Sequence, residues 1–308
     1  MTANRESDVI VIGGGLAGVG CALECFDIQL DTLLVESASV LGGQLPEVLH
    51  SVRNLAAARF TSGADLQRSL QEAAGILGDR VRLAAPVTSV DLGSRRIEIG
   101  GDRVPFRSLV VATGTRQRYL AAAPDGAFGG DITYQLETDP QHFTGSVAAV
   151  IGGGDSAVLD ALALAADGAT VTLVHRSPGL HARDDVLARL RAEPRIEDLP
   201  GWEVDAARGP DRLEAVELVQ RETDERRTLA VNRLVVKIGR TPNTGFLAGQ
   251  LELDRAGAII VDRDLRTSHA GVFAAGDIVA DAYPRVAAAI GQGSLAARSV
   301  LRYLQGRS

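Results

Sequence analysis

The sequence predicts an α/β protein made of two βαβ units, the second inserted into the first. Two glycine-rich turns carry this reading. Val9-Ile10-Val11-Ile12 runs into Gly13-Gly14-Gly15-Leu16-Ala17-Gly18, and Val147-Ala148-Ala149-Val150-Ile151 runs into Gly152-Gly153-Gly154-Asp155-Ser156-Ala157. Each apolar run reads as a strand buried on both faces. Each turn has the spacing G-x-G-x-x-G or G-x-G-x-x-A and passes into an Ala/Leu-rich helix. The third observation is a second strand after each helix. Thr32-Leu33-Leu34-Val35 ends at Glu36 and Thr170-Val171-Thr172-Leu173-Val174 ends at His175, each at the same distance from the first glycine of its turn.

Glycines in this pattern permit a tight turn, let backbone approach a pyrophosphate, and let helix pack on strand. The helix N-terminus adds free N–H groups and a positive dipole end. The fold class is therefore two Rossmann-like dinucleotide-binding domains, each a three-layer ββα arrangement. Glu36 stands where an acid hydrogen-bonds an adenosine ribose, as in FAD or NAD. The second unit has His175-Arg176 there and no acid. Cations at that place suit a ribose 2′-phosphate, which favours NADPH and leaves NADH as the alternative.

The bulk numbers exclude several classes. The chain has 308 residues, 45% hydrophobic and 23% charged, as in an ordinary globular protein. Its length allows two domains. A net charge of −7 without a basic run argues against nucleic acid. No apolar stretch is long enough for a membrane span. Met1 to Asp8 is polar and leads straight into a strand, which reads as no signal peptide and predicts a cytoplasmic protein. Lys237 is the only lysine, a compositional bias toward arginine. Cys21 and Cys25 are one helical turn apart and read as small buried hydrophobes, with a redox pair as the alternative. Scattered histidines offer no metal site, and no nucleophile-elbow motif marks a Ser-His-Asp triad.

The predicted domains are 1–117 with 241–308 for FAD, and 118–240 for NAD(P)H. A helix from Ala64 to Leu77 is capped near Ser62. Strands follow at 81–91, 95–99 and 103–106, then Leu109 to Gly114. Thr115 to Gly130 reads as a linker. In the second unit a helix runs from Ala157 to Ala166 and another from Arg183 to Arg191. Strands at 213–220 and 227–236 flank a turn at Thr223-Asp224-Glu225. Trp202 reads as packing. Val272 to Ala274 is a strand, and Arg285 to Tyr303 a helix whose Gly291 and Gly293 suggest close packing.

These motifs resemble the low-molecular-weight thioredoxin reductase group of FAD/NAD(P)H flavoproteins over nearly the full length. The resemblance rests on GGGLAG at 13–18, GGQL at 42–45, ATG at 112–114, GGGDSA at 152–157, VHR at 174–176, IGRTPN at 238–243, FAAGD at 273–277 and the run from Tyr283 to Ala297. It implies that Gly13, Gly15, Leu16, Ala17 and Gly18 hold the FAD pyrophosphate and Glu36 its ribose. Gly43, Gln44, Asn54, Val87, Ala112, Thr113, Gly114, Gly276 and Asp277 would complete the FAD site. Arg285 and Val286 would start a helix aimed at the flavin. Gly152, Gly154, Asp155, Ser156, His175, Arg176 and Arg183 would take NADPH. It also implies a homodimer and a second domain that swings on its linkers.

The sequence departs from that family in two places. Gln135 and Thr138 stand where the reductases carry a C-x-x-C dithiol, and neither can carry electrons. After Arg176 comes Ser177 in place of a second arginine, with His181 before Arg183. The ferredoxin/flavodoxin–NADP reductase-like subgroup also lacks the dithiol, and Thr138 to Gly145 resembles its connecting segment. Pro46-Glu47-Val48-Leu49-His50 replaces that subgroup's YPEK-like stretch. The leading expectation is an FAD-dependent reductase passing hydride from NADPH to flavin and then directly to a non-disulfide acceptor: ferredoxin, a quinone, another flavoprotein or a small organic substrate. Space beside Gln135 and Thr138 would admit nicotinamide or substrate, with His50 as a candidate acid or base. The alternatives are a flavin oxidase or dehydrogenase of a specialised metabolite, and a non-catalytic flavin-binding protein.

Overall fold

The computed structural model describes residues 6–48, 51–56, 58–136, 143–247 and 249–306. The chain begins with β1 (Ser7–Ile12), α1 (Leu16–Asp27), β2 (Thr32–Val35), α2 (Gly63–Ala74), β3 (Val81–Arg82), β4 (Val87–Asp91), β5 (Arg96–Ile99), β6 (Asp102–Val111) and β7 (Thr115–Gln117). It continues through the short α3 (Ala127–Gly130), β8 (Ile132–Thr133), β9 (Val147–Ile151), α4 (Asp155–Ala166), β10 (Thr170–His175), α5 (Asp184–Arg191) and β11 (Ile196–Pro200). Then come β12 (Trp202–Arg208), β13 (Ala215–Gln220), β14 (Arg226–Ala230), β15 (Arg233–Val236), β16 (Arg240–Pro242), β17 (Val272–Ala274) and α6 (Val286–Leu304). Contacts divide it into two compact units, Met1–Arg116 with Thr241–Ser308, and Gln117–Arg240. β7 and β16 pair with each other where the chain passes from one unit to the other.

In the first unit β3-β2-β1-β6 lie side by side, with β17 also paired to β6, and β5 and β4 continue from β6. β1 is parallel to both β2 and β6. Its residues alternate between two cores because strand side chains alternate faces. Val9 and Val11 join Val110, Phe273 and the buried faces of α1 and α6. Ile10 and Ile12 join Leu109, Val111, Ile97, Val104 and Phe106 against β4 and β5. The layers are thus helix, parallel sheet and antiparallel sheet.

The second unit repeats this plan. Its parallel sheet runs β11-β10-β9-β15-β8, and β12-β13-β14 form an antiparallel sheet. Val150, Leu173 and Val235 pack with α4 and α5. Ala149, Ile151, Val174, Leu234 and Val236 pack with Trp202, Val216 and Leu218.

Several predicted boundaries are corrected. The expected strands at 103–106 and Leu109–Gly114 are one strand, β6. Arg107 and Ser108 break its apolar run because both reach back to Asp8: Arg107 as an ion pair, Ser108 by donating to the Asp8 carbonyl at 2.6 Å. The expected strand 227–236 is two, β14 in the antiparallel sheet and β15 in the parallel one. β11 and β12 were not anticipated, and the 81–91 strand is interrupted between β3 and β4. The helix α2 starts as expected, its Ser62 hydroxyl accepting from the Asp65 N–H at 3.2 Å, but ends at Ala74. The expected linker 115–130 contains β7.

The two glycines of α6 separate cleanly. A Cβ on Gly293 would lie 2.3 Å from the Ala17 carbonyl oxygen and 2.9 Å from the Cys21 nitrogen, so α6 rests on the backbone of α1. A Cβ on Gly291 would meet nothing within 4 Å. Gly293→Ala is expected to lower stability by about 1–3 kcal/mol through overpacking. Gly291→Ala is expected to raise it by up to about 1 kcal/mol through helix propensity. Urea unfolding of both variants checks the opposite signs.

Candidate functional site

At the end of β1 the chain turns so tightly that only glycine fits. Gly13 has φ +108°, and a Cβ there would lie 2.3 Å from the Ala112 carbonyl oxygen. A Cβ on Gly18 would lie 1.8 Å from the Gly13 oxygen, so α1 sits directly on the strand end. Gly15 differs: a Cβ there would meet nothing within 4 Å. Gly15 caps α1 without a side-chain hydrogen bond, leaving first-turn N–H groups beside that open space. The Glu36 carboxylate closes the floor, accepting from the Gly14 N–H at 2.5 Å and the Ala38 N–H at 2.7 Å.

Three more turns converge here. Gly43 comes within 3.2 Å of the Gly15 Cα when given a Cβ, and the Gly42 N–H donates to the Gly14 carbonyl at 2.8 Å. Gln44 donates from Nε2 to Thr115 Oγ1 at 3.2 Å and to Asp277 Oδ2 at 3.4 Å. Gly276 lies against Ala17, and its N–H donates to Gln292 Oε1 at 2.7 Å. Leu16 and Val286 both pack against the small core of Leu45, Val52 and Leu66. Arg285 caps α6 with no side-chain bond to it, its guanidinium 4.7 Å from the Tyr283 ring centroid.

The second turn repeats the geometry. Gly152, at φ +141°, faces the Lys237 carbonyl oxygen at 2.2 Å from its notional Cβ, while Gly154 is open and caps α4. Here the chain folds back over the turn. The His181 N–H donates to the Gly153 carbonyl at 2.7 Å, and the Arg183 N–H to Asp155 Oδ1 at 2.8 Å. Arg176 and Ser156 are exposed. His175 is buried, its Nε2–H donating to Asp198 Oδ1 at 2.9 Å and its Nδ1 lying 3.4 Å from Ser177 Oγ.

Two strand-end turns of this kind, each with its open middle glycine, are what a pyrophosphate requires. The sequence matches the description "Pyridine nucleotide-disulphide oxidoreductase" over residues 7–293. The chain belongs to this family. It is similar to an NADH dehydrogenase of Ferdinandcohnia aciditolerans, 32% identical over 301 residues, covering 96% of this chain and 57% of that protein. It is 31% identical over 305 residues to a thioredoxin reductase of Treponema pallidum, covering 97% of each. The crystal structure of Lactococcus lactis thioredoxin reductase matches with a TM-score of 0.80 at 29% identity, covering 98% of this chain and 100% of that one. The chain therefore spans little more than half of the first relative and nearly all of the other two. As a pyridine nucleotide-disulphide oxidoreductase, it is an NAD(P)H-dependent flavoprotein enzyme that uses FAD.

The family name stresses disulphide, and the two cysteines of this chain do not supply one at the surface. Cys21 and Cys25 are free thiols, fully buried between α1, α6 and the sheet. Its hydrogen bond to Cys25 and burial push the Cys21 thiol well up from its ordinary value. Such a thiol is inert as a nucleophile. Gln135 is exposed, its carbonyl accepting from Thr133 Oγ1 at 2.6 Å. Thr138 and His50 lie outside the described residues. Asn54 is exposed and bonds to none of the residues around Gly15. Val87 packs on the antiparallel side, partly buried against the core of Ile97 and Val104. His175, expected to face a ligand, is turned into the protein by Asp198. Among the described residues no group of three His, Cys, Asp or Glu side chains could hold a metal, and no helix is long and apolar enough to cross a membrane.

Sequence reasoning missed Asn243. Its Nδ2 donates to the Thr113 carbonyl at 2.8 Å, its Oδ1 accepts from Arg116 at 3.0 Å, and its backbone bonds both Thr113 Oγ1 and Gly114. It clasps the small-residue turn after β6. The signal was present in the IGRTPN run, which carried the resemblance without a role for Asn243. Asn243→Ala is expected to cost about 1–3 kcal/mol, because it orphans a carbonyl in a half-buried turn. Denaturant titration measures it.

Proposed function

We propose that the first unit holds FAD and the second NAD(P)H, and that electrons leave the flavin directly for a non-disulfide acceptor. Candidate acceptors are a redox protein such as ferredoxin or another flavoprotein, a quinone, or a small organic molecule. The observation that carries this reading is the burial of the chain's two thiols in a core; the resemblance would put a dithiol at Gln135 and Thr138, where the sequence has none. FAD, when bound, supplies a store for two electrons.

The residues present fit the group. Gly13, Gly15 and Gly18, with the N–H groups of Leu16 and Ala17, would cradle its pyrophosphate, and Glu36 would accept from its ribose. Ala112, Thr113, Gly114, Gly43, Gln44, Gly276 and Asp277 would border the rest of the molecule. The uncapped first turn of α6, from Arg285 and Val286, would present its dipole end to a negative ring edge. Gly152, Gly154, Asp155 and Ser156 would cradle the coenzyme. A homodimer and a cytoplasmic location belong to the same reading, and light scattering tests the first.

Gly15→Ala separates binding from folding. Gly15 already has an extended φ of −77° and space for a methyl, so stability should change by less than about 0.5 kcal/mol. The methyl fills the place of the pyrophosphate, so the variant should purify with at least about tenfold less flavin. Normal FAD content in this variant would remove the first turn as the flavin cradle.

Anaerobic mixing with NADH or NADPH should bleach the flavin, while added thioredoxin stays oxidised. The double variant Cys21→Ala with Cys25→Ala should keep its rate with a dye acceptor within about twofold, while losing about 1–3 kcal/mol of stability to the cavity. Efficient thioredoxin reduction, or loss of turnover in a folded double variant, would overturn the direct-transfer reading.

A further inference from the structure

The cations around the second glycine turn are less available than their number suggests. Arg183 is held twice by Asp155, through its backbone N–H at 2.8 Å and its Nε at 3.3 Å, and Asp185 lies 3.8 Å from the same Nε. The loop that carries it is fixed, because His181 bonds Gly153 and forms a bridge with Gly154. His175, at the end of β10, has a side chain only 2% exposed and bonded to Asp198. Among the described residues Arg176 is the one arginine exposed there without a carboxylate partner. Ser177 occupies the next position, its hydroxyl donating to the Gly179 carbonyl at 2.7 Å.

In a doubly wound unit the end of the second strand faces the adenosine ribose. A 2′-phosphate dianion at this strand end would meet the carboxylates of Asp155, Asp185 and Asp198. To gain a second cation it would have to draw Arg183 away from two of them. A 2′-hydroxyl needs no cation and donates to a carboxylate. The Asp198 side chain is 45% exposed, and its Oδ2 carries no hydrogen bond among the described residues.

We propose that the second unit prefers NADH to NADPH, with Asp198, midway along β11 and bonded to His175 at the end of β10, and Ser177, two residues beyond β10, recognising a free ribose 2′-hydroxyl and the pairing of Arg183 withholding the charge that a 2′-phosphate requires. This rests on the second turn being the coenzyme cradle.

The test is calorimetric titration of the full-length, flavin-containing protein with NAD+ and with NADP+, repeated with 5′-AMP and 2′,5′-ADP. NAD+ is expected to bind about tenfold tighter than NADP+, and 5′-AMP tighter than 2′,5′-ADP. Ser177→Arg adds a guanidinium at the half-buried turn. It should tighten NADP+ by about fivefold or more and weaken NAD+ by about twofold or more, because the hydroxyl facing the ribose is lost. NADP+ binding as tightly as NAD+ to the unaltered protein overturns the preference and leaves the cradle standing. Binding of neither nucleotide overturns both. A Ser177→Arg variant that binds NAD+ but gains nothing for NADP+ overturns the placement of the 2′ position.

Discussion

Backbone-on-backbone contact at two strand ends governs this molecule. At Gly13, Gly18 and Gly152 a methyl group would sit 1.8–2.3 Å from a carbonyl oxygen, far inside any real contact. Those approaches let a helix start directly over the end of its strand, with its first N–H groups unsatisfied by the helix itself. The middle glycine of each turn then has the opposite surroundings. It faces open space, because its neighbours are drawn down into the packing. Close contact on one side and space on the other are one geometrical fact. The parallel strands and the antiparallel sheet beyond them hold it rigid, each strand dividing its side chains between two cores.

The parts of the fold that were legible in the sequence are those where backbone geometry dictates residue type. The glycine turns, the acid at Glu36 and the buried runs of β1 and β9 are of this kind. Elements decided by their partners were not legible. β6 is interrupted in sequence by Arg107 and Ser108, and only their bonds to Asp8, nearly a hundred positions away, make them compatible with a continuous strand. β11 carries Glu197 and Asp198 within five residues and reads as a loop until β10 pairs with it. The α6 glycines show the same limit. One is required by the backbone of α1 and the other by nothing in its surroundings, and the sequence treats them alike.

Around the candidate sites the same division holds. Positions that a ligand's backbone neighbours require could be named in advance, whereas residues that orient other residues could not. Asn243 and Gln292 act on the Thr113–Gly114 turn and on Gly276 through side-chain bonds that reach across 130 and 16 positions. The Asp198 bond to His175 is another such case, and it reverses the apparent role of the histidine. A histidine at a strand end reads as a cation offered to a ligand. One whose ring is buried against an acid and a serine is a structural strut.

Counting charges is therefore a poor guide to what this surface binds, and pairing is a better one. Lys237, the single lysine among many arginines, illustrates why. It sits beside the second glycine turn, where a solitary cation would suggest a phosphate contact. Its ammonium instead lies 3.1 Å from Asp160 Oδ2 and donates to the Tyr134 carbonyl at 2.9 Å. Burial pushes the Asp160 carboxyl up from its ordinary value by more than Lys237 pulls it down. Each is then the condition for the other's presence, since removing one partner of such a pair leaves a charge in a poorly solvated place. A ligand cannot recruit that ammonium without exposing Asp160 to the same cost. Arg183 is bound less tightly, because its carboxylates are open to water and screened. Arg176 is bound by none. The cations around this turn thus run from locked to loose to unpaired, and only the last is free of a carboxylate among the described residues.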